Sequence, residues 1–373
     1  MGARSANSDK AVNGRSGARV RASLRDKIMG GEFPCGDLLP SVRRLGEQYG
    51  VTRKTANRAL KSLEGEGLIV AEPRRGYRVL PGACDPDRGC PVAFIDQAED
   101  GTVEGIPTSK DLLNNFQAAA GGHGWSLLAV DAGGRPPAPI LQQLATARAC
   151  GAVLSAVSPE VAAAVRDSGM PVVVVDWWFE ELEIDSVIQD NFQGGVLAAR
   201  RLLQRGHRRI AWLGPTTATN HSLSRLGGAT MELQRAGEGL AADLCFGCNR
   251  HTVAREARKL LSSPGRPLAV LAMWQGIALA LVEAAHELGL RPGVDFEMVG
   301  WASEEGYRRS YRSAFNGGEI QPAVVWSPRQ MADLALDRLA SRKRSPELAV
   351  VRSSVPVWLE LPEEQGQAPE VSE

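Results

Sequence analysis

Residues 39–60, LPSVRRLGEQYGVTRKTANRAL, hold two short amphipathic segments that meet at a tight turn. In the first segment Val42, Leu45 and Tyr49 recur at i, i+3 and i+7, and Ser41 stands where an N-terminal cap belongs. Gly50 ends that helix, and Thr52 is placed to cap the next. In the second segment Ala56, Leu60 and Leu63 make the buried stripe, which leaves Arg53, Lys54, Thr55, Asn57 and Arg58 pointing outward from its first two turns. A helix with one dry face and one face rich in hydrogen-bond donors fits the major groove of DNA, where Arg reads guanine, Asn reads adenine and Lys finds phosphate. An ordinary helical hairpin with a solvated basic face would carry the same spacing, so the flanks decide.

Upstream, Val20, Leu24 and Ile28 form another helical stripe. Downstream, residues 68–70 and 77–79 are strand candidates joined by AEPRRG, a turn that carries Arg74 and Arg75. A helix, a helix-turn-helix and a basic wing make a winged helix. Residues 20–80 resemble the GntR-type DNA-binding domain, through Ile28, Gly31 and Gly36, then LPSVRRL, Val51-Thr52-Arg53-Lys54-Thr55, ALKSLEGEGLI and RRGYRV. The resemblance implies that Arg43 and Arg53 touch phosphate or base. The expected DNA-binding set is Ser41, Arg43, Arg44, Thr52, Arg53, Lys54, Thr55, Asn57 and Arg58, with Arg74 and Arg75 on the wing. One position departs from the pattern: Asn57 stands where many members carry Arg, so the operator need not be the commonest one.

A length of 373 residues suits two or three domains, and 43% hydrophobic with 23% charged residues suits a soluble protein with a sizeable core. The formal net charge of zero hides an asymmetry. Residues 1–82 hold 16 Lys and Arg against 8 Asp and Glu, and the remainder holds 27 against 35. A basic unit on an acidic body suits a nucleic-acid reader joined to something that is not one. Residues 1–18, polar and rich in Gly, Ser and Ala, suggest a disordered arm. The winged helix is expected over 19–81, a Pro/Gly/Asp-rich linker over 82–90, a second domain over 91–361 and an acidic tail over 362–373.

No secretory pattern and no run of eighteen apolar residues is present, so a cytoplasmic protein without membrane contact is expected. Six cysteines then stay reduced. Cys245-x-x-Cys248 with His251 could be half of a zinc site or a redox pair, yet no second pair completes four ligands. Small residues ending a strand is the simpler reading, and no metal or cofactor is expected.

After the linker, near-continuous apolar runs alternate with helical stretches. The runs are PVAFI (91–95), SLLAV (126–130), AVLSA (152–156), VVVVD (172–176), IAWLG (210–214), LAVLAM (268–273) and EMVGW (297–301). Strands apolar on both faces, alternating with helices, mean α/β architecture with doubly wound parallel sheets. Roughly 270 residues exceed one such sheet and fit two lobes, with ligands expected at strand carboxyl ends in the cleft between them. Residues 91–361 are similar to the LacI/GalR-type effector domain, which is periplasmic-binding-protein-like. The landmarks are Val173–Asp176, Asp190-Asn191 with Gly194, Gly206–Ala211, Ser222 with Arg225 and Gly228, Gly289–Pro292 and Val299-Gly300. A GntR-type winged helix on such a sensor resembles the arabinose-repressor class.

The resemblance implies that Asp176 and Arg225 meet sugar hydroxyls and that Gln189 lies at the first crossing between lobes. Three positions break the pattern: Trp274-Gln275 replaces an N-D pair, Trp301-Ala302 precedes and replaces an aspartate, and Trp326 replaces a polar residue. The expected effector set is therefore Asp176, Trp177, Gln189, Arg225, Trp274, Gln275, Trp301 and Trp326, with Trp178 alongside. Indoles at strand ends suit stacking on a sugar ring or another flat ligand; they would also fill a cleft that binds nothing. An enzyme is not expected, because G-x-S-x-G, H-E-x-x-H and the P-loop are missing. The segment 237–242, GEGLAA, fits G-x-G-x-x-A but follows a helix rather than a strand.

These readings converge on a homodimeric, ligand-responsive transcriptional repressor. It would bind a palindromic double-stranded DNA operator and release it on binding a small-molecule effector, sugar or sugar-derived. The alternative is a constitutive repressor whose sensor-like domain serves only for dimerisation and protein contact.

Overall fold

The computed structural model describes residues 5–29, 31–34, 36–73, 75–80, 90–96, 108–216, 220–249, 251–263 and 269–362. The expected linker apart from Cys90, the tail apart from Pro362, and the wing residue Arg74 lie outside the described residues. The chain divides into two compact units, Met1–Val92 with Ala120–Leu127, and Ala93–Ala119 with Leu128–Glu373.

The first unit is built from α1 (Ser5–Met29), α2 (Val42–Tyr49), α3 (Arg53–Gly65), β1 (Ile69–Glu72) and β2 (Gly76–Val79). Val20, Leu24 and Ile28 of α1 are buried with Leu45, Ala56, Leu60, Leu63, Leu68 and Val79, so the three helical stripes and the wing share one core. Ser41 caps α2, its Oγ accepting from the Arg44 N–H at 3.3 Å. Gly50 closes α2 at φ 63, a left-handed conformation that needs no Cβ, and Thr52 caps α3 by accepting from the Thr55 N–H at 3.2 Å. β1 and β2 pair antiparallel, with Ile69 opposite Val79 and Glu72 opposite Gly76. Helical backbone begins at Ser5, inside the stretch expected to be a disordered arm. No proline precedes Pro34 and alanines recur at 6, 11 and 18, so the helix runs on in spite of Gly14 and Gly17.

In the second unit β3 (Pro91–Asp96), α4 (Thr108–Gly122), β4 (Ser126–Asp131), α5 (Pro137–Ala147), β5 (Gly151–Ser155), α6 (Pro159–Asp167), β6 (Val172–Val175) and β7 (Asp185–Gln189) begin one lobe. The chain then crosses into α7 (Asn191–Gln204), β8 (Ile210–Leu213), α8 (Asn220–Arg235), β9 (Cys245–Phe246), α9 (Val253–Ser262), β10 (Ala269–Ala272), α10 (Gln275–Glu287) and β11 (Glu297–Ser303). β11 runs into α11 (Glu304–Gly306) and a π-helical turn (Tyr307–Tyr311), and β12 (Ala323–Trp326) follows. α12 (Pro328–Arg344) and β13 (Arg352–Val355) return to the first lobe, and β14 (Val357–Glu360) ends in the second.

The two sheets run β13-β7-β6-β5-β3-β4 and β14-β12-β11-β10-β8-β9. β5, β6, β8 and β10 are buried at every residue, which is why they stand out as apolar runs. β14 pairs antiparallel with β12, so the second sheet is parallel except at one edge, a departure from the all-parallel expectation. Five strands, β7, β9, β12, β13 and β14, are additional to the seven apolar runs.

One packing contact in each lobe fixes its helices. α7 and α8 touch through backbone: a Cβ at Gly195 would lie 2.0 Å from the Arg225 carbonyl oxygen, and one at Gly228 2.0 Å from that of Phe192. On the first lobe Asp185, 1% exposed, accepts from Arg338 at 2.9 Å, Arg342 at 2.8 Å and the Val351 N–H at 2.8 Å, which fastens α12 and the entry to β13. Burial pushes the Asp185 carboxyl up, but Arg338, the Val351 N–H and Arg342 together outweigh it and hold it below the usual carboxylate range.

Candidate functional site

On the winged helix, Arg43, Arg44, Arg53, Lys54 and Arg58 are exposed and Asn57 is half-buried. Arg43 donates to Glu47 one turn on, at 3.0 Å, whereas Arg53, Lys54 and Arg58 enter no ion pair among the described residues. Arg75 is exposed and lies 3.6 Å from Glu72, whose stronger partner is Arg78. The Arg78 guanidinium holds the Glu72 carboxyl below its usual range. Thr55 differs from expectation. It is 8% exposed, with Oγ1 2.9 Å from the Thr52 Oγ1, and a Cβ at Gly17 of α1 would meet its methyl at 3.5 Å. One helical step from Ala56, it faces the core rather than solvent. Ser41 and Thr52 use their side-chain oxygens on helix N–H groups, so their first role is to fix the two helices.

In the two-lobed unit the crossing from β7 to α7 carries Gln189 and Asn191, both buried. The Gln189 amide orientation follows from its partners: Nε2 donates to Asp176 at 2.8 Å, and Oε1 accepts from the Trp301 indole at 2.8 Å and from Arg225 at 3.3 Å. Arg225 lies in the second turn of α8 and is 1% exposed. It donates to Asn191 Oδ1 at 2.7 Å and to the Met273 carbonyl at 3.0 Å. Its guanidinium sits 3.7 Å from the Trp301 ring centroid and 5.1 Å from that of Trp274. Asp176 follows β6 at φ 53, a backbone conformation rare outside glycine, and its side chain is 31% exposed.

The tryptophans divide into two groups. Trp177, Trp178 and Trp274 are half-buried, and His221 presents its ring edge-on to Trp177 at 5.3 Å and Trp178 at 5.9 Å. Trp301 and Trp326 are each 2% exposed. Trp301 sits inside β11 rather than at its end, and a Cβ at Gly194 would fall 2.3 Å from its ring, so it packs as core against α7. Gln275 is also buried, donating to the Ser310 Oγ at 2.6 Å. Of the eight expected effector residues, Asp176, Trp177 and Trp274 have partly open side chains; Gln189, Arg225, Gln275, Trp301 and Trp326 are turned inward.

Asn191 and His221 belong to this network and were missed as site residues. Asn191 was visible as half of the D-N landmark, and His221 as the residue before Ser222 in the S-x-x-R stretch. Cys245 lies in β9, its thiol pushed up by burial and then by Asp243, and Cys248 is buried with Leu244, Val253 and Leu260. Among the described residues no group of three His, Cys, Asp or Glu could hold a metal, and no helix is long and apolar enough to cross a membrane.

Two families match the chain: "Bacterial regulatory proteins, gntR family" over residues 17–79, and "Periplasmic binding proteins and sugar binding domain of LacI family" over residues 104–298. The ribose operon repressor of Haemophilus influenzae is 28% identical over 187 residues, covering 48% of this chain and 52% of that protein. The HTH-type transcriptional repressor PurR of Edwardsiella ictaluri is 30% identical over 190 residues with the same coverage. The chain thus spans about half the length of the curated relatives it matches. Among solved structures, a transcriptional regulator CelR–cellobiose complex superposes with TM-score 0.63 at 18% identity, covering 87% of this chain and 99% of that one. A LacI family transcriptional regulator from Enterococcus faecium with bound ribose gives 0.59 at 18% identity, covering 73% and 97%. At such identities the likeness is one of fold, and the fold agrees with the doubly wound two-lobed expectation.

Proposed function

Because the chain belongs to the family of periplasmic binding proteins and LacI-type sugar-binding domains, we propose that it is a cytoplasmic transcriptional repressor, not an enzyme. It binds a palindromic operator as a homodimer and releases it when a sugar or sugar-derived molecule enters between the lobes. The observation that carries the reading is the pairing, in one chain, of exposed Arg53, Lys54 and Arg58 on a capped helix with strand carboxyl ends that converge on Asp176, Gln189 and Arg225. The first can neutralise phosphates and read bases. The second joins side chains from both lobes, so a ligand that alters their partners alters the balance between lobe arrangements. Release requires the ligand to favour one arrangement, and about 100-fold preference corresponds to about 2.7 kcal/mol.

The half-buried indoles Trp177, next to Asp176 in the chain, and Trp274, 5.1 Å from the Arg225 guanidinium, favour a ring with an apolar face and a hydroxyl-bearing edge. A competing reading is a constitutive repressor with a closed sensor, supported by the fact that Arg225 and Gln189 already bond to side chains of the protein itself. Selection of bound sequences from random DNA, followed by a thermal-shift screen against saccharides and sugar acids, separates the two. A saccharide at 100 times its dissociation constant should stabilise by about 2.7 kcal/mol and lower operator affinity. Sequence-selective DNA binding with no saccharide response would leave the constitutive reading. No sequence-selective binding at all would refute both.

A further inference from the structure

The segment after β11 bridges the two lobes at a second place, away from Gln189. α11 and the π-helical turn belong to the second lobe, and they meet α4 of the first lobe through two side-chain pairs. Arg309 Nη2 donates to Asp111 Oδ2, and Asn115 Nδ2 donates to Glu305 Oε1 at 3.2 Å. The Asp111 side chain is only 9% exposed, against 59% for Arg309, so the guanidinium covers a carboxylate that has little other access to water. The segment is rooted in its own lobe by Tyr311, fully buried, whose hydroxyl donates to the Pro322 carbonyl at 3.1 Å.

The same segment also touches the cleft from inside. Gln275, the first residue of α10 and next to the half-buried Trp274, donates to Ser310. Its Oε1 occupies the space a Cβ on Gly306 would need, at 2.1 Å, so only glycine at 306 lets the segment lie against it. A π-helical turn is rare and recurs at functional sites.

We propose that residues 304–311 are a latch: they hold the two lobes together through Asp111–Arg309 and Asn115–Glu305, and Gln275 transmits the occupancy of the cleft to them. The proposal rests on the two-lobed unit being an effector cleft, and assigns the control of that cleft to this segment. A ligand that draws Trp274 and Gln275 toward itself removes the support of Ser310, and the pairs to α4 weaken. Opening and closing are then set by a covered ion pair that the ligand never touches.

Hydrogen–deuterium exchange of the full-length protein, without DNA or ligand, tests this directly. Arg309→Glu places a like charge beside Asp111 and should raise exchange of peptides spanning 185–195 and 304–311 by about threefold to tenfold, the range of a covered ion pair turned repulsive. Arg309→Lys keeps the cation and should stay within about twofold of the wild type. Gln275→Ala should raise exchange at 304–311 while the melting transition of the second lobe remains cooperative. Unchanged exchange in Arg309→Glu, or equal increases in the Glu and Lys variants, would overturn the latch. So would unchanged exchange at 304–311 in Gln275→Ala. None of these readings depends on DNA, so failure of the regulator assignment would show separately as loss of sequence-selective operator binding by the wild type.

Discussion

Two arginines of this chain have opposite fates. Arg53, at the start of α3, is exposed and enters no ion pair among the described residues. Arg225, in α8, is 1% exposed, bonded to Asn191, Gln189 and the Met273 carbonyl, and stacked on Trp301. The same guanidinium is offered outward in one place and engaged inward in the other. An outward cation contributes little to the folded chain and much to a polyanion that approaches it. An inward one organises the walls around it, and a ligand must compete with what it already holds. If the proposed function holds, the winged helix would meet DNA with its cations already exposed, whereas a ligand in the cleft would first have to displace bonds that Arg225 already makes.

The sharpest way to break this contrast is Arg225→Ala. Removing a buried cation takes the donor from Asn191 Oδ1 and from the Met273 carbonyl and leaves a void beside Trp301, so unfolding of the second lobe should become easier by about 3–5 kcal/mol, read from urea melts. A change below about 1 kcal/mol would mean that Arg225 is held for a ligand and not for the fold.

Asp185 offers a second test of an inward charge. Its folded pKa lies below the unfolded value, so its contribution is present above about pH 3.9 and is lost as pH falls through the folded pKa. Acid should therefore destabilise the first lobe, and Asp185→Asn should remove that part of the acid sensitivity while lowering stability at neutral pH. An identical acid profile in the variant would assign the sensitivity elsewhere.

On the outward side, Arg53→Ala should weaken operator binding by about 1–3 kcal/mol, relax specificity and leave the melting temperature unchanged. Equal loss of stability and affinity would erase the distinction between the two arginines. The smallest effect is expected from Thr52→Ala, about 1 kcal/mol from the lost cap of α3, visible in thermal melts as a modest shift.

Much of the winged helix was legible because its caps, turn glycine and apolar stripes are local signals: Ser41, Gly50 and Thr52 do what their positions indicate. Thr55 was misplaced because the outward face was drawn from one stripe, whereas α1 packs close enough on the other side to bury it. The central strands were legible as apolar runs. β7 and β13 were not: DSVIQ carries Asp185, whose burial depends on the distant partners Arg338 and Arg342, and the polar residues of RSSV are largely exposed. Asp176, Gln189 and Arg225, which the resemblance named together, are joined by hydrogen bonds through the Gln189 amide. It could not tell that Trp301 would turn its ring onto Arg225, because that depends on Gly194 and Gly195 letting α7 approach.

β13 and β14 are separated only by Pro356, yet they complete different sheets, β13 beside β7 and β14 beside β12. This has a consequence during synthesis. Until residues 352–360 leave the ribosome, both sheets present an uncovered edge with unpaired backbone donors and acceptors, the template on which nascent chains stick to one another. Neither lobe can be finished ahead of the other, although most of the first is translated well before the second. The two lobes are therefore completed together and late, and a stalled or shortened chain would be expected to aggregate rather than to yield one intact lobe.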